Sequence, residues 1–405
     1  MSDGIPLARP ASHDKKVGLV LQGGGALGSY QAGAYEALAS SQYLPDWVAG
    51  ISIGAINAAI IAGNAPEHRV QRLRRFWEEI TATSILWPSA PDGPLATWQN
   101  RASALTAAMF GQPGFFTPRP PHDWFSSDKC VSYYKTSALK ETLERLVDFD
   151  RINDARGTRL SLGAVNVRTG HFAYFDSEKI TIRPEHVMAS GALPPGFPPV
   201  EIDGERYWDG GLFSNTPLQY MVDYYPRRSR LIFQVDVFQA HGYLPTNLDE
   251  VNEREKDIRY SSRTMVSTDV LREKHDVRHA INELHKLLPP DLASTEQAQR
   301  LYEHGCVTEM DIVQLIYRPM EPLGALKDFE FSRAAMNARW AQGHADARTT
   351  LAASPWLAPM PSEVGVRVFD VIHDMLVNRA GRAPDTGAPD GVETLVTSAE
   401  TKSAR

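Results

Sequence analysis

The sequence predicts an α/β fold built around a mainly parallel sheet. Two short apolar runs, at residues 17–21 and 47–51, each end at a turn rich in glycine or serine and lead into a helical pattern. Strand, turn and helix following one another twice within about 50 residues are typical of parallel α/β sheets. The 405 residues suffice for about two or three average domains, or for one large α/β domain with insertions.

Composition and charge exclude several classes of protein. Hydrophobic residues make up 42% of the chain and charged residues 22%, which is globular rather than disordered composition. The net charge of −7 argues against a broad nucleic-acid-binding surface. Cys130 and Cys306 cannot build a disulfide framework and fit a reducing compartment. Because no apolar signal segment or apolar run of about 20 residues is present, we expect a cytoplasmic protein with at most peripheral membrane contact.

Further elements follow from apolar runs bounded by turn residues. Strands are predicted at 17–21, 47–51, 160–167, 172–175, 231–237 and 312–317. Helices are predicted at 29–40, at 55–62 and from the capping residue Ser332 to about residue 351. The segment 189–200 is rich in small residues and prolines, so we expect an ordered loop there rather than a helix or strand.

Changes in composition predict the domain organisation. Residues 1–14 and the tail 383–405 are expected to be disordered, and a main domain is expected at 15–240. Residues 241–355 are charged and mostly helical; they are interpreted as a cap or insertion with a late strand and helix packed on the core. A short helical region is expected at 356–382.

An aromatic-rich excursion interrupts the main domain at 84–125. It contains Trp98, Phe115 and several other aromatic residues among prolines and glycines. One interpretation is an irregular segment folded onto the core. The other is an apolar access surface for a greasy substrate or for membrane contact, because exposed aromatic side chains among turns mark interaction sites.

The first turn reads Gly-Gly-Gly-Ala-Leu-Gly at residues 23–28. It fits the dinucleotide-binding pattern G-x-G-x-x-G, but Asp46, the acidic residue at about the right distance, precedes the second strand and is misplaced for a ribose. Alternatively, the backbone N–H groups at this helix N-terminus hold a negative charge that develops on a carbonyl oxygen. A purely structural turn is the third interpretation.

The second turn reads Gly-Ile-Ser-Ile-Gly at 50–54 and fits G-x-S-x-G. In this motif the serine lies in a sharp, strained turn between strand and helix, and the flanking glycines relieve steric clashes. Ser52 is therefore a candidate nucleophile. The alternative is a turn serine that caps the helix after it.

A serine nucleophile needs a base, and the sequence offers no obvious histidine for this role. His171 follows a hairpin turn and His186 starts a helix, so surface or packing roles are expected for both. His275 and His279 are spaced as in the zinc motif H-E-x-x-H, with aspartate in place of glutamate. With no third ligand evident, we interpret them as two solvated histidines on a charged helix.

Asp209 is the candidate base. A β-like run at 205–209 ends in this aspartate, and Gly210 and Gly211 follow it. Asp-Gly is also a common hairpin signal, which gives a structural alternative. In the functional interpretation the glycines let Asp209 approach Ser52 closely.

Four motifs in this order resemble the patatin-like phospholipase family. They are the glycine turn, G-x-S-x-G, Ser-x-Ala-x-Pro with Phe-x-Pro-Val at 190–200, and Asp-Gly-Gly with Asn-x-Pro at 209–217. The resemblance covers about residues 16–240, and the rest resembles the extra region of some bacterial members. It implies a three-layer α/β/α catalytic domain with a helical insertion or cap toward the C-terminus. It also implies lipid acyl hydrolysis by a Ser–Asp dyad without histidine.

By position, the resemblance implies Ser52 as nucleophile and Asp209 as base. The oxyanion hole would be formed by the N–H groups of Gly24, Gly25 and Ala26. The glycines that support these motifs are Gly23, Gly28, Gly50, Gly54, Gly210 and Gly211. No cofactor or metal is required. Many members have a basic residue where Leu27 stands. Its absence from this chain disfavours contact with an anionic head group at that position. Ile51 and Ile53 are bulkier than the usual neighbours of the serine.

Alternative functions remain at this point. Besides a phospholipase A or lysophospholipase, the chain fits an esterase for neutral acyl esters or hydroxyacid polyesters. A non-catalytic lipid-binding protein is less favoured, because Ser52, Asp209 and the glycine turn are all intact. The expected partner is a lipid or acyl-ester substrate, and homo-oligomerisation through the helices after 241 stays open. With an ordinary pKa near 3.9, Asp209 would be a weak base.

Overall fold

The computed structural model describes residues 15–81, 106–107, 109–120, 123, 130–361 and 364–380. The predicted disordered ends at 1–14 and 383–405 lie outside these residues, as does most of the excursion at 84–125. The division into domains therefore stays a prediction.

The described strands form one large sheet and one small one. They are β1 (Lys16–Leu21), β2 (Trp47–Gly50), β3 (Thr117–Pro118), β4 (Tyr134–Lys135), β5 (Arg159–Asn166), β6 (Phe172–Asp176), β7 (Val200–Ile202), β8 (Glu205–Asp209), β9 (Arg230–Asp236), β10 (Met310–Ile316) and β11 (Val366–Phe369). Nine strands form the large sheet in the order β11-β10-β9-β1-β2-β5-β8-β7, with β6 also paired to β5. Pairing is parallel from β11 to β5 and antiparallel for β6, β7 and β8, which confirms the mainly parallel sheet.

Helices cover both faces of this sheet. They are α1 (Gly28–Ala39), α2 (Ile53–Ala62), α3 (Pro66–Ile80), α4 (Ser137–Leu146), α5 (Phe149–Asn153), α6 (Pro184–Ser190), α7 (Leu218–Asp223), α8 (Leu248–Leu287), α9 (Pro290–Ala293), α10 (Glu296–Tyr302), α11 (Arg333–Ala353) and α12 (Val371–Ala380). Neighbouring residues of β1 enter different cores: Leu19 packs with the side chains of α1 and α2, and Val20 packs with those of α7. This alternation confirms the three-layer α/β/α architecture. Within the described ranges, no helix is both long and apolar enough to cross a bilayer.

Two local predictions hold only in part. The segment 189–200 is not entirely a loop: α6 continues to Ser190, and β7 begins at Val200. Helix α6 starts at Pro184, and the His186 ring accepts a hydrogen bond from the Arg183 N–H at 2.9 Å, so local capping stabilises a helix there. Strand β11 was also missed inside the predicted helical region 356–382.

Helix α11 packs against α1 through two glycines. A Cβ on Gly33 would lie 1.9 Å from the carbonyl oxygen of Trp340, and a Cβ on Gly343 would lie 2.1 Å from that of Tyr30. The two backbones therefore touch where the helices cross. This contact joins the C-terminal part of the chain to the helix that follows the glycine turn.

The prediction of solvated histidines is wrong. His275 is fully buried and His279 is 5% exposed, because both lie on the face of α8 that packs on the protein. The Nε2 atom of His279 lies 2.8 Å from the Thr308 carbonyl oxygen, whereas neither ring nitrogen of His275 has a hydrogen-bond partner in the described part of the chain. No group of three or more potential metal ligands occurs among the residues described.

Stability should therefore depend on the protonation of His275. Burial lowers the pKa of His275 to about 4, and repulsion from His279, Arg278 and Arg227 adds to this effect, while Asp223 opposes it. Since the unfolded chain binds this proton near pH 6.5, the stability present above that value is lost as the pH falls toward 4. Between pH 7 and pH 5 the free energy of unfolding should fall by about 2 kcal/mol through this residue.

The measurement is denaturant unfolding of the wild type and His275→Leu at both pH values. The variant lacks the titrating group, so its loss of stability on acidification should be smaller by that amount. An equal loss in both proteins would contradict the assignment.

Candidate active site

Ser52 lies in the sharp turn between β2 and α2. Its φ of 57° and ψ of −126° are strained for a residue with a side chain, and its hydroxyl makes no capping hydrogen bond to α2. A Cβ on Gly50 would lie 2.3 Å from the Gly54 carbonyl oxygen, and one on Gly54 would lie 2.4 Å from that of Leu21. Both glycines are therefore needed for this turn, and the simple capping interpretation of Ser52 loses its support.

Ser190 holds this turn in place. The N–H of Ser52 points at both oxygens of Ser190, 3.1 Å from the carbonyl oxygen and 3.2 Å from Oγ. The Ser190 hydroxyl in turn donates to the Gly163 carbonyl oxygen of β5 at 2.7 Å. Ser190 was not among the predicted site residues, although its place in the Ser-x-Ala-x-Pro motif was a usable signal.

Asp209 lies at the end of β8, beside Ser52. Its carboxylate accepts a hydrogen bond from the Gly211 N–H at 2.7 Å, and the Ser52 hydroxyl in the same cavity also stabilises its charged form. Its side chain is almost completely buried, and this burial raises the pKa of Asp209 to about 7, although the Gly211 N–H and the Ser52 hydroxyl act in the opposite direction. The expectation of an ordinary pKa near 3.9 is therefore wrong. A Cβ on Gly210 would lie 2.6 Å from the Gly163 carbonyl oxygen, which explains the glycine after the aspartate.

The glycine turn lies beside the same serine. Gly25 has a φ of 55°, and a Cβ there would lie 2.3 Å from the Asp328 carbonyl oxygen. Within the described residues, the N–H groups of Gly24, Gly25 and Ala26 have no hydrogen-bond acceptor. Free N–H groups beside a serine hydroxyl form a site that can hold a developing oxyanion.

Asn215 connects the glycine turn to the Asp209 loop. Its side-chain amide donates to the Gly23 carbonyl oxygen at 2.9 Å, and its backbone carbonyl oxygen accepts a hydrogen bond from the Gly23 N–H at 3.2 Å. The Asn-x-Pro motif thus fixes the two loops relative to each other. A Cβ on Gly23 would lie 2.5 Å from the Asn215 side-chain oxygen, and one on Gly28 would lie 2.7 Å from Ile53.

The dinucleotide interpretation loses its support at Asp46. This residue accepts a hydrogen bond from the Val17 N–H at 2.8 Å and lies 3.3 Å from the Lys16 ammonium group. It is therefore at the amino end of β1, at the edge of the sheet opposite to the glycine turn. No ribose bound at the turn could reach it.

Ser52 and Asp209 open into an apolar cavity. Its walls include Ile53, Ile56, Phe115, Phe116, Leu193, Phe197, Phe238, Tyr260, Phe329 and Phe331. Phe115 and Phe116 belong to the excursion at 84–125 and are buried. These two residues therefore pack onto the core and form part of the cavity wall. Met109 and Phe110 are exposed, whereas Trp98 lies outside the described residues.

Comparison with family models decides the family. Residues 19–222, half of the chain, match the model described as patatin-like phospholipase. The chain belongs to the patatin-like phospholipase family. Residues 258–363 match a second model, DUF3734, described as patatin phospholipase. The family makes this protein a lipid hydrolase, and the sequence-based recognition is confirmed.

Similar solved structures are distant. VipD from Legionella pneumophila is 12% identical, with a TM-score of 0.37 over 91% of this chain and 74% of that chain. The heterodimeric ExoU–SpcU complex from the type III secretion system of Pseudomonas aeruginosa is 18% identical, with a TM-score of 0.25 over 73% of this chain. The present chain spans 59% of the ExoU–SpcU chain that it matches. Comparison with curated proteins gives no match.

The C-terminal part of this patatin-like phospholipase also builds the cavity. Tyr260 comes from α8, and Asp328, Phe329 and Phe331 come from residues 323–331, which we call the strap. The strap covers the glycine turn at Gly25. Sequence reasoning missed these residues, since no local motif marks them.

Charged groups of α8 hold the strap. Glu253 accepts hydrogen bonds from the N–H groups of Leu323 and Gly324, the second at 2.7 Å. The buried Lys327 ammonium group lies 3.1 Å from Glu253 and 2.5 Å from Asp257. These paired charges fix the strap over the site, because leaving one partner buried and unpaired would be costly.

Proposed function

We propose that this protein is a serine lipid acyl hydrolase of the phospholipase A or lysophospholipase type. It cleaves carboxylic esters through Ser52 and Asp209. The observation that carries the proposal is that the strained Ser52 and the buried Asp209 lie in one cavity, where the hydroxyl stabilises the charged carboxylate, beside the free N–H groups of the glycine turn. The apolar walls of the same cavity fit an acyl chain.

The mechanism starts with Asp209 as general base. It takes the Ser52 proton as Oγ attacks the ester carbonyl carbon, and the N–H groups of Gly24, Gly25 and Ala26 hold the resulting oxyanion. Each well-placed donor of this kind can contribute roughly 3–4 kcal/mol to stabilising the transition state. When the tetrahedral intermediate collapses, Asp209 returns the proton to the leaving alcohol, and the acyl group stays on Ser52.

Water completes the cycle. Asp209 removes a proton from a water molecule that attacks the acyl carbonyl, and the same N–H groups hold the second oxyanion. The bond to Ser52 Oγ then breaks, Oγ regains the proton from Asp209, and the fatty acid leaves. A base with a pKa near the working pH suits both proton transfers.

A second candidate is an esterase for neutral acyl esters or hydroxyacid polyesters. The described residues that line the cavity include no lysine or arginine. The lining contains two carboxylates, those of Asp209 and Asp328, and the second lies 2.7 Å from the Lys256 ammonium group. A lining without free cations favours a neutral or zwitterionic substrate over a strongly anionic head group.

Fatty-acid release from a panel of esters tests the proposal. The panel contains p-nitrophenyl esters, a monoacylglycerol, lysophosphatidylcholine, phosphatidylcholine and phosphatidylglycerol. Turnover should be abolished in Ser52→Ala and retained in Ser262→Ala, which removes an exposed serine of α8. Activity that survives in Ser52→Ala would contradict the assignment, and the preferred ester separates the two candidates. The cytoplasmic location, peripheral membrane contact and homo-oligomerisation stay predictions.

A further inference from the structure

A buried arginine from the C-terminal part of the chain contacts the glycine turn. Arg339 lies on α11 and is 4% exposed. Its guanidinium donates hydrogen bonds to the carbonyl oxygens of Ala26 at 3.3 Å, Glu330 at 2.9 Å and Lys327 at 3.3 Å. One side chain therefore holds both the turn and the strap above it.

The guanidinium brings a positive charge to a segment that has none. Residues 22–31, from the end of β1 into α1, include no charged side chain. The carboxylates carried by the strap each have a cationic partner: Glu330 lies 3.2 Å from the Arg339 guanidinium, and Asp328 is paired with Lys256. Because each carboxylate is paired with a cation, it repels a negative charge at the glycine turn less than an unpaired carboxylate would.

We propose that Arg339 is a positioning residue for the oxyanion site. By binding the Ala26 carbonyl oxygen, it fixes the backbone at the end of the N–H row and offsets the partial negative charge of that carbonyl. Donors that stabilise an oxyanion must be held in place before the charge develops, and small misplacements are costly. This inference rests on the proposed function, since it assigns Arg339 to that same reaction.

The test measures turnover and transition-state affinity separately. The variants are Arg339→Met, Arg339→Lys and, as a matched control, Arg333→Met, which removes a more exposed arginine of the same helix near Glu78. Each is assayed for kcat and KM and for the Ki of an alkyl trifluoromethyl ketone, which forms a tetrahedral oxyanion with a serine nucleophile.

We expect kcat to fall about tenfold or more in Arg339→Met, with KM changed by less than about twofold. The Ki of the ketone should rise in proportion to the loss of kcat/KM. Arg339→Lys keeps the charge but loses the planar set of donors, so its loss should be intermediate. Arg333→Met should resemble the wild type.

Opposite results are clearly distinguishable. If folded Arg339→Met or Arg339→Lys protein keeps the wild-type kcat and ketone Ki while its Tm falls, Arg339 is only structural and the inference is wrong. Should Arg339→Met fail to fold, the lysine variant decides by the same comparison. A wild type that hydrolyses no ester and is not labelled by a fluorophosphonate overturns the proposed function, and the inference fails with it.

Discussion

Hydrolysis by this patatin-like protein should increase with pH through about 7 and fall roughly tenfold for each pH unit below that value. The proposed base, Asp209, must be ionised to accept the Ser52 proton, and burial raises its pKa to about 7. Activity is therefore expected above this pKa and lost below it. The measurement is kcat/KM between pH 5 and pH 9 with a soluble ester, which reports the pKa of the free enzyme.

Asp209→Asn tests which group is responsible. The amide keeps the shape of the side chain but cannot accept the proton, so kcat should fall by about three orders of magnitude or more. A raised carboxyl pKa means that ionisation opposes folding, so stability falls as pH rises from the unfolded pKa toward 7. The variant should thus be at least as stable as the wild type at pH 8, and denaturant unfolding at that pH checks that its loss of activity does not come from unfolding.

Asp236→Asn is the matched control. Asp236 is another buried aspartate whose pKa burial raises to about 7, and it is hydrogen-bonded to Gln234 and Thr216 rather than to Ser52. Its replacement should leave the pH profile unchanged. If the break near pH 7 disappears in Asp236→Asn, Asp209 is not the titrating base. A break near pH 4 in the wild type would instead contradict the raised pKa of Asp209.

The catalytic candidates were predictable because their signals are local. The parallel strands β1 and β2 carry the glycine turn and Ser52 at their carboxyl ends, which meet at one edge of the sheet. The glycine spacing around Ser52 reports steric limits that the structure contains, such as the contact at Gly54. Sequence reasoning could therefore bring these residues together before any distance was known.

The rest of the site depends on tertiary packing. Phe329 and Phe331 line the cavity although they lie about 300 residues after the glycine turn in the sequence, and no short motif marks them. The pKa of Asp209 follows from its burial, which composition cannot supply. The burial of His275 was not predicted because α8 carries many charges. The buried face of this helix is itself mostly polar and includes Thr264 and Thr268.

Gly343→Ala should destabilise the protein by about 3 kcal/mol or more, although helix propensity alone predicts a gain of about 1 kcal/mol. The added methyl group would lie 2.1 Å from the Tyr30 carbonyl oxygen, so α11 and α1 would have to move apart. Since α11 also carries Arg339, turnover should fall along with the free energy of unfolding. Denaturant unfolding and ester hydrolysis measure the two effects.

Ala341→Gly is the control for propensity, because this exposed residue of α11 should lose only about 1 kcal/mol. The sign of the Gly343→Ala effect then distinguishes two architectures. If residues 241–355 are a cap that rests loosely on the catalytic domain, the alanine follows propensity and stabilises α11. If α11 is part of the core that supports the glycine turn, as the backbone contacts at Gly33 and Gly343 indicate, the same methyl group weakens folding and turnover together.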